Sequence, residues 1–170
     1  MFFEGIVSGI ISGIIASLLV AFFMFKIKPK IKVSDKMCIK SDSGDKLSCQ
    51  IKVINLSKVN LTNVVYTLLY CKEHGDDIRE LYAIRPDSND NMTIISKYNK
   101  NNTDYAVRFC YEIDKTKYPL DEKSKFVFRI HATHPYTNAI TVKESVYTKE
   151  NMVVGVYETG ERLKIIKIDR

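Results

Sequence analysis

The side chains able to do chemistry are few: three histidines, four cysteines, and tyrosines interleaved with lysine and arginine. His131 and His134 in His131-Ala132-Thr133-His134-Pro135 are spaced to share a metal, but no third ligand is placed by spacing. The pair reads as structural or exposed, and no metal site is expected. His74 falls in the polar turn His74-Gly75-Asp76-Asp77 and reads as solvated. Cys38, Cys49, Cys71 and Cys110 form no Cys-x-x-Cys pair. They read as small apolar strand residues, kept reduced on the cytoplasmic side of a membrane, with a disulfide as the alternative if the topology is inverted. There is no Gly-x-Gly-x-x-Gly, P-loop, Gly-x-Ser-x-Gly elbow or His-Glu-x-x-His. Neither an enzyme nor a cofactor is expected.

Tyr105, Arg108, Tyr111, Lys115 and Lys117 interleave rings with cations. Bases stack on aromatic faces while lysine and arginine track phosphates, so this surface is a candidate for a nucleotide or oligonucleotide ligand. Ordinary strand composition produces the same pattern.

The element that must position all of this is the N-terminus. Between Glu4 and Lys26 no residue is charged, and about 20 residues at about 1.5 Å rise cross the ~30 Å hydrocarbon core. A transmembrane helix is expected from about Gly5 to Phe25. A cleaved signal peptide would need a basic start, a shorter apolar core and a small-residue cleavage site, so an uncleaved anchor is expected, with an atypical signal peptide or a buried core helix as the alternatives. Lys26, Lys28, Lys30 and Lys32 follow the span, placing the N-terminus outside and the body in the cytoplasm at the inner membrane. The same lysines are expected to contact anionic lipid, at about 1 kcal/mol each. Removing these four lysines and Glu4 from 26 basic and 20 acidic residues leaves 22 and 19, so the remainder carries only +3 of the net +6. The basic balance is therefore juxtamembrane rather than a nucleic-acid signature.

Within the span Gly5, Gly9, Gly13, Ser17 and Ala21 recur every fourth residue, and Ser8, Ser12 and Ala16 form an adjacent row. In lipid no hydrophobic effect drives helices together, so rows that permit close backbone approach mark association faces. A homo-oligomer is expected, the alternative being a monomeric anchor that tolerates its glycines. In a ring of helices Ser8 and Ser12 would line an axis with Glu4 at its outer mouth, an arrangement suited to an ion path.

Pro29 should end the helix, and 29–32 is read as a basic neck after a helical segment 1–28. The remainder, 33–170, alternates strand-like runs with turns. Strands are expected at 30–40, 46–56, 61–73, 78–84, 91–97, 104–113, 124–133, 140–148, 152–157 and 162–168, with turns at Ser43-Gly44-Asp45, 74–77 and Thr159-Gly160-Glu161. Short strands at even spacing without βαβ units predict an all-β soluble domain, an immunoglobulin-like antiparallel β-sandwich behind one N-terminal transmembrane α-helix. Val64 to Cys71 is apolar on both faces and reads as a central strand. The sequons at Asn55, Asn60, Asn91 and Asn101 point toward a glycosylated surface, against the lysine topology, which is given precedence.

The segment Phe128-Arg-Ile-His-Ala-Thr-His-Pro-Tyr-Thr-Asn-Ala-Ile-Thr-Val142, with Tyr147, Val154-Gly155-Val156-Tyr157, the neck and Asn55-Leu-Ser-Lys58, resembles short bacterial proteins that carry one N-terminal span and a cytoplasmic β-sandwich. Some of that group resemble membrane effectors of anti-phage systems, including the oligomeric ion channel of the Hailong system. The resemblance implies a channel gated by an oligonucleotide; it matches no ligand residue position by position. The expected function is a non-enzymatic, membrane-tethered sensor-effector that self-associates. The alternative from another class is a passive adaptor holding a protein partner at the membrane.

Overall fold

The computed structural model describes residues 2–74, 78–86, 92–160 and 162–166. The uncharged N-terminal run forms one helix, α1 (Phe2–Lys26). Its stretch Gly5–Phe22 has a mean hydropathy of 2.3 and no residue of it is buried. Such a helix is consistent with a single membrane span or a signal sequence.

Nine of the eleven strands described after α1 build a two-layer sandwich. One layer is antiparallel, with β5 (Ile78–Ile84), β4 (Thr62–His74), β7 (Ser124–Thr133) and β8 (Ile140–Tyr147) in that order. The other is organised around β3 (Lys46–Asn55), which pairs with β6 (Ala106–Asp114) along one edge. Along its other edge β3 takes β1 (Ile31–Val33) and then β2 (Met37–Ser43), and β2 pairs in parallel with β9 (Met152–Val154). That parallel pair makes the layer a mixed half-barrel. A short hairpin, β10 (Val156–Tyr157) with β11 (Ile165–Ile166), completes the chain. The crossings from β3 to β4, β5 to β6 and β6 to β7 are those of an immunoglobulin-like sandwich.

Alternation fixes which residues meet. Leu47, Cys49, Ile51 and Val53 of β3 and Phe109, Tyr111 and Ile113 of β6 face Leu68 and Tyr70 of β4 and Phe126, Phe128 and Ile130 of β7 across the core. The Phe109 and Phe128 rings lie 5.5 Å apart, within the range of favourable aromatic pairs. β4 is internal, as its apolar run predicts, although Val65 is exposed. All four cysteines are free, three of them buried, in β2, β3, β4 and β6.

Three expected strands differ. The run 30–40 breaks at Ser34-Asp35-Lys36, where Ser34 N–H donates to the Lys52 carbonyl and Ser34 O accepts Tyr147 Oη at 2.7 Å, diverting the chain between β1 and β2. The run 152–157 breaks at Gly155, whose φ of 149° suits glycine alone and brings it against the Ile166 carbonyl. Of 91–97 only an isolated bridge from Ile95 to Leu61 forms; Asn91, the turn residues 75–77, Glu161 and the end of 162–168 lie outside the described residues. The neck is shorter than expected, because Ile31 and Lys32 already belong to β1.

Candidate functional site

Along α1, a Cβ placed on Gly5, Gly9 or Gly13 meets nothing within 4 Å, so the small-residue row is uncovered in the single chain. Ser17 Oγ donates to the Gly13 carbonyl at 2.8 Å and Ser12 Oγ to Gly9 at 3.0 Å. Both hydroxyls are thus satisfied by their own helix, which keeps the row compact and apolar in character. Ala21, toward the C-terminal end of α1, is half-buried. Ser8 and Ser12 lie in a shallow groove with Phe3, Val7, Ile11 and Ile15, so their flank is apolar rather than a continuous polar stripe. The side chains of Glu4 and Lys26 lie outside the described ones; Lys28, Lys30 and Lys32 are exposed.

The chain leaving α1 is held to the sandwich. Thr137 Oγ1 donates to the Ile27 carbonyl at 3.2 Å and Thr141 Oγ1 to the Pro29 carbonyl at 3.0 Å. Lys30 N–H donates to Ser57 Oγ and Leu56 N–H to the Lys30 carbonyl, both at 2.8 Å. Four hydrogen bonds over residues 27–30 tie the helix exit to the loops that follow β3 and β7 and to the start of β8.

The expected basic and aromatic surface does not form as one surface. Tyr105 and Tyr111 are buried, at 4% and 1% exposure, and Tyr111 packs among Phe128 and the core of β6. The reason is the period of two: Arg108 and Tyr111, three apart on β6, point to opposite faces. Arg108 and Lys117 are exposed and Lys115 is half-buried, with the Lys117 ammonium 5.3 Å from the Tyr118 ring. Neither tyrosine offers a free face for base stacking.

A different concave site takes Tyr105 at its rim: a groove of about 340 Å³ lined by Tyr98, Lys100, Tyr105, Glu158, Thr159 and Arg162. Tyr98 and Tyr105 meet edge to face at 4.8 Å. Lys52, fully buried on the outer face of β3, donates to the Glu158 carbonyl at 2.5 Å and the Arg162 carbonyl at 2.9 Å, anchoring the β10–β11 hairpin. The hairpin explains why Gln50, Lys52 and Ile54, which alternation assigns to the outer face, are buried too. Burial first, then the repulsion of Arg108, pulls the Lys52 ammonium below its ordinary pKa, with Glu158 opposing. One carboxylate oxygen of Glu158 is buried without a hydrogen-bond partner. The groove thus sets the Tyr98 ring, backed by the buried Tyr105, beside Lys100 and Arg162, a set suited to an anionic ligand. Sequence reading missed Tyr98, Lys100, Lys52 and Arg162; a lysine inside the apolar run Ile51-Lys52-Val53-Ile54 was the available signal.

Because the folded pKa of Lys52 is lowered, the unfolded chain binds the extra proton, and stability gains as pH rises through that folded value toward 10.5. In Lys52→Met this gain is expected to vanish. Urea midpoints at neutral pH and near pH 10 should shift in favour of the wild type at the higher pH; parallel profiles would contradict a strained ammonium.

His134 is buried, its Nδ1 accepting the Tyr136 N–H at 3.4 Å, while His131 is exposed on the outer face of β7. Among the described residues no three His, Cys, Asp or Glu side chains gather to hold a metal. Asn55 is wholly buried, so its sequon marks a structural amide in the folded domain.

No family model matches the chain, and no curated protein is similar to it. Solved structures similar to it include wild-type OgpA from Akkermansia muciniphila, at 14% identity over 73% of this chain and 28% of that one, with a TM-score of 0.35. Catalytically inactive OgpA bound to an O-glycopeptide substrate matches at 14% identity over 73% and 30%, with a TM-score of 0.31. The chain spans less than a third of either protein. Likeness at this level carries no functional argument.

Proposed function

We propose that the chain is a membrane-tethered β-sandwich whose helices self-associate, acting as a ligand-controlled sensor-effector. The observation that carries this reading is the uncovered row Gly5, Gly9, Gly13 on an apolar helix with no buried residue from Gly5 to Phe22, because such a row allows backbones to approach closely in lipid. The assembled helices would provide an ion path past Ser8 and Ser12, with Glu4 at its mouth. The clamped residues 27–30 supply the coupling such a device needs between sandwich and helix. The groove bounded by Tyr98, Lys100, Tyr105 and Arg162 is our site for a nucleotide or oligonucleotide, the ligand class implied by the resemblance to the Hailong effector. A role in anti-phage defence belongs to the same proposal. The test is the conductance of proteoliposomes with and without short oligonucleotides; impermeable vesicles under both conditions would reject the ion path.

The topology within this proposal places the sandwich in the cytoplasm. A cysteine introduced at the exposed Asp45, in the turn between β2 and β3, should escape a membrane-impermeant thiol reagent on intact cells and react after lysis. Labelling on intact cells would invert the topology.

A second reading, the passive adaptor, is favoured by the outer face of the four-stranded layer, which exposes Val65, Leu81, Val142 and Val146. An adaptor needs this face and no ring of helices, so charged substitutions at Leu81 and Val146 would abolish its action while leaving assembly intact.

A further inference from the structure

The end of the sandwich nearest α1 has a composition unlike the rest. It is made by the neck 27–30, residues 56–62 leading from β3 into β4, the segment 92–98 and the loop 134–139 after β7. The Leu61 to Ile95 bridge, Tyr98 N–H to the Ser57 carbonyl at 3.2 Å and Lys97 N–H to Asn60 Oδ1 at 2.8 Å join the second and third segments, and the bonds of Leu56 to Lys30 and Thr137 to Ile27 bring in the neck and the fourth. Together they contain Lys28, Lys30, Lys58 and Lys97 and not one Asp or Glu. All four lysines are exposed. Large apolar side chains also stand in the open here: Ile27 at 44%, Leu56 at 45%, Ile94 at 55% and Tyr136 at 78% exposure. Between them lies a groove of about 320 Å³ edged by Lys58, Asn60, Thr62, Lys97 and Tyr136.

Chain length fixes what this surface faces if α1 spans a bilayer. Four residues reach at most about 14 Å when fully extended, and the hydrogen bonds at Ile27, Pro29 and Lys30 fold the neck back against the sandwich. The headgroup layer is itself about 5–7 Å deep on each side. A surface tied this closely to the helix end must meet that layer.

We propose that this end is a docking face for an anionic bilayer, with Lys58 and Lys97 taking lipid phosphates at the groove and Tyr136, Ile94 and Leu56 entering the interface. Exposed apolar groups ringed by cations, with no carboxylate in the described segments that form this end, are costly in water and complementary to anionic headgroups over an apolar layer. The inference rests on the membrane reading above and extends lipid contact from the neck lysines to loops distant in sequence. Docking would hold the sandwich against the membrane, where a ligand-driven shift of its loops acts directly on α1.

The chain contains no tryptophan, so Tyr136→Trp supplies a single reporter at an exposed position. Full-length Tyr136→Trp in nanodiscs containing phosphatidylglycerol should emit to the blue and be quenched by brominated lipid. Adding Lys58→Gln and Lys97→Gln, or changing to pure phosphatidylcholine, should at least about halve the quenching, each lysine being a factor of about five in lipid affinity. Unquenched, water-like emission in anionic discs overturns the docking face, as does quenching indifferent to both changes. If inorganic phosphate alone produces the blue shift in phosphatidylcholine discs, the groove is a soluble-phosphate site and docking is likewise overturned. Release of the chain from membranes by carbonate would instead reject the membrane reading itself.

Discussion

If α1 self-associates in a bilayer as proposed, replacing Gly9 and Gly13 together by leucine is expected to weaken that association sharply while leaving membrane insertion intact. Each substitution places a branched side chain where the wild-type row leaves space beyond 4 Å, and the helix stays apolar and uncharged from Gly5 to Phe22. Packing at small-residue rows depends on backbone approach, so two leucines at i and i+4 hold neighbouring helices apart along the whole seam. The expected change is at least about tenfold in association, equivalent to the ~1.4 kcal/mol that two mispacked positions readily exceed. Crosslinking yield and permeabilisation should fall together. Ile10→Leu, a volume-conserving change on the same helix, should alter neither. An unchanged crosslinked ladder in the double variant would move assembly to the sandwich and remove the support for an ion path.

Asn55→Ala is expected to be among the most damaging single changes in the sandwich. Asn55 Nδ2 donates to the carbonyls of Val59 and Ser96 at 2.9 Å and approaches that of Ile95 at 3.3 Å, while Oδ1 accepts Ser57 N–H at 2.8 Å. Alanine leaves several buried backbone groups unpaired, at about 1–3 kcal/mol each, so a loss of about 3 kcal/mol is expected. That corresponds to a fall in Tm of roughly 10 °C for a domain of this size. The same loop holds the neck through Ser57 and Leu56, so the helix exit should also gain protease sensitivity near Lys28 and Lys30. A loss under about 1 kcal/mol in urea titrations would show that water replaces the amide.

The sequence showed the fold where period and burial coincide. Phe126, Phe128 and Ile130 alternate with Arg129 and His131, and β5 and β7 have the bounds that this pattern predicts. It failed where long-range partners decide. The break after β1 depends on Ser34 meeting Lys52 and Tyr147, residues 18 and 113 positions away. The candidate ligand surface failed for a local reason, since Arg108 and Tyr111 have opposite parity on one strand. The groove over Lys52 was invisible because the β10–β11 hairpin that forms it packs across more than a hundred residues of chain separation. The spacing of the helix row, by contrast, follows from the helix alone, because nothing but the helix itself sets its geometry.

Self-association of the helix is the central claim, and subunit counting of the full-length wild-type chain in lipid nanodiscs tests it most directly. Native mass spectrometry should give one defined mass above that of the 19.6 kDa monomer. Monomers alone, over a range of protein-to-lipid ratios, would contradict it.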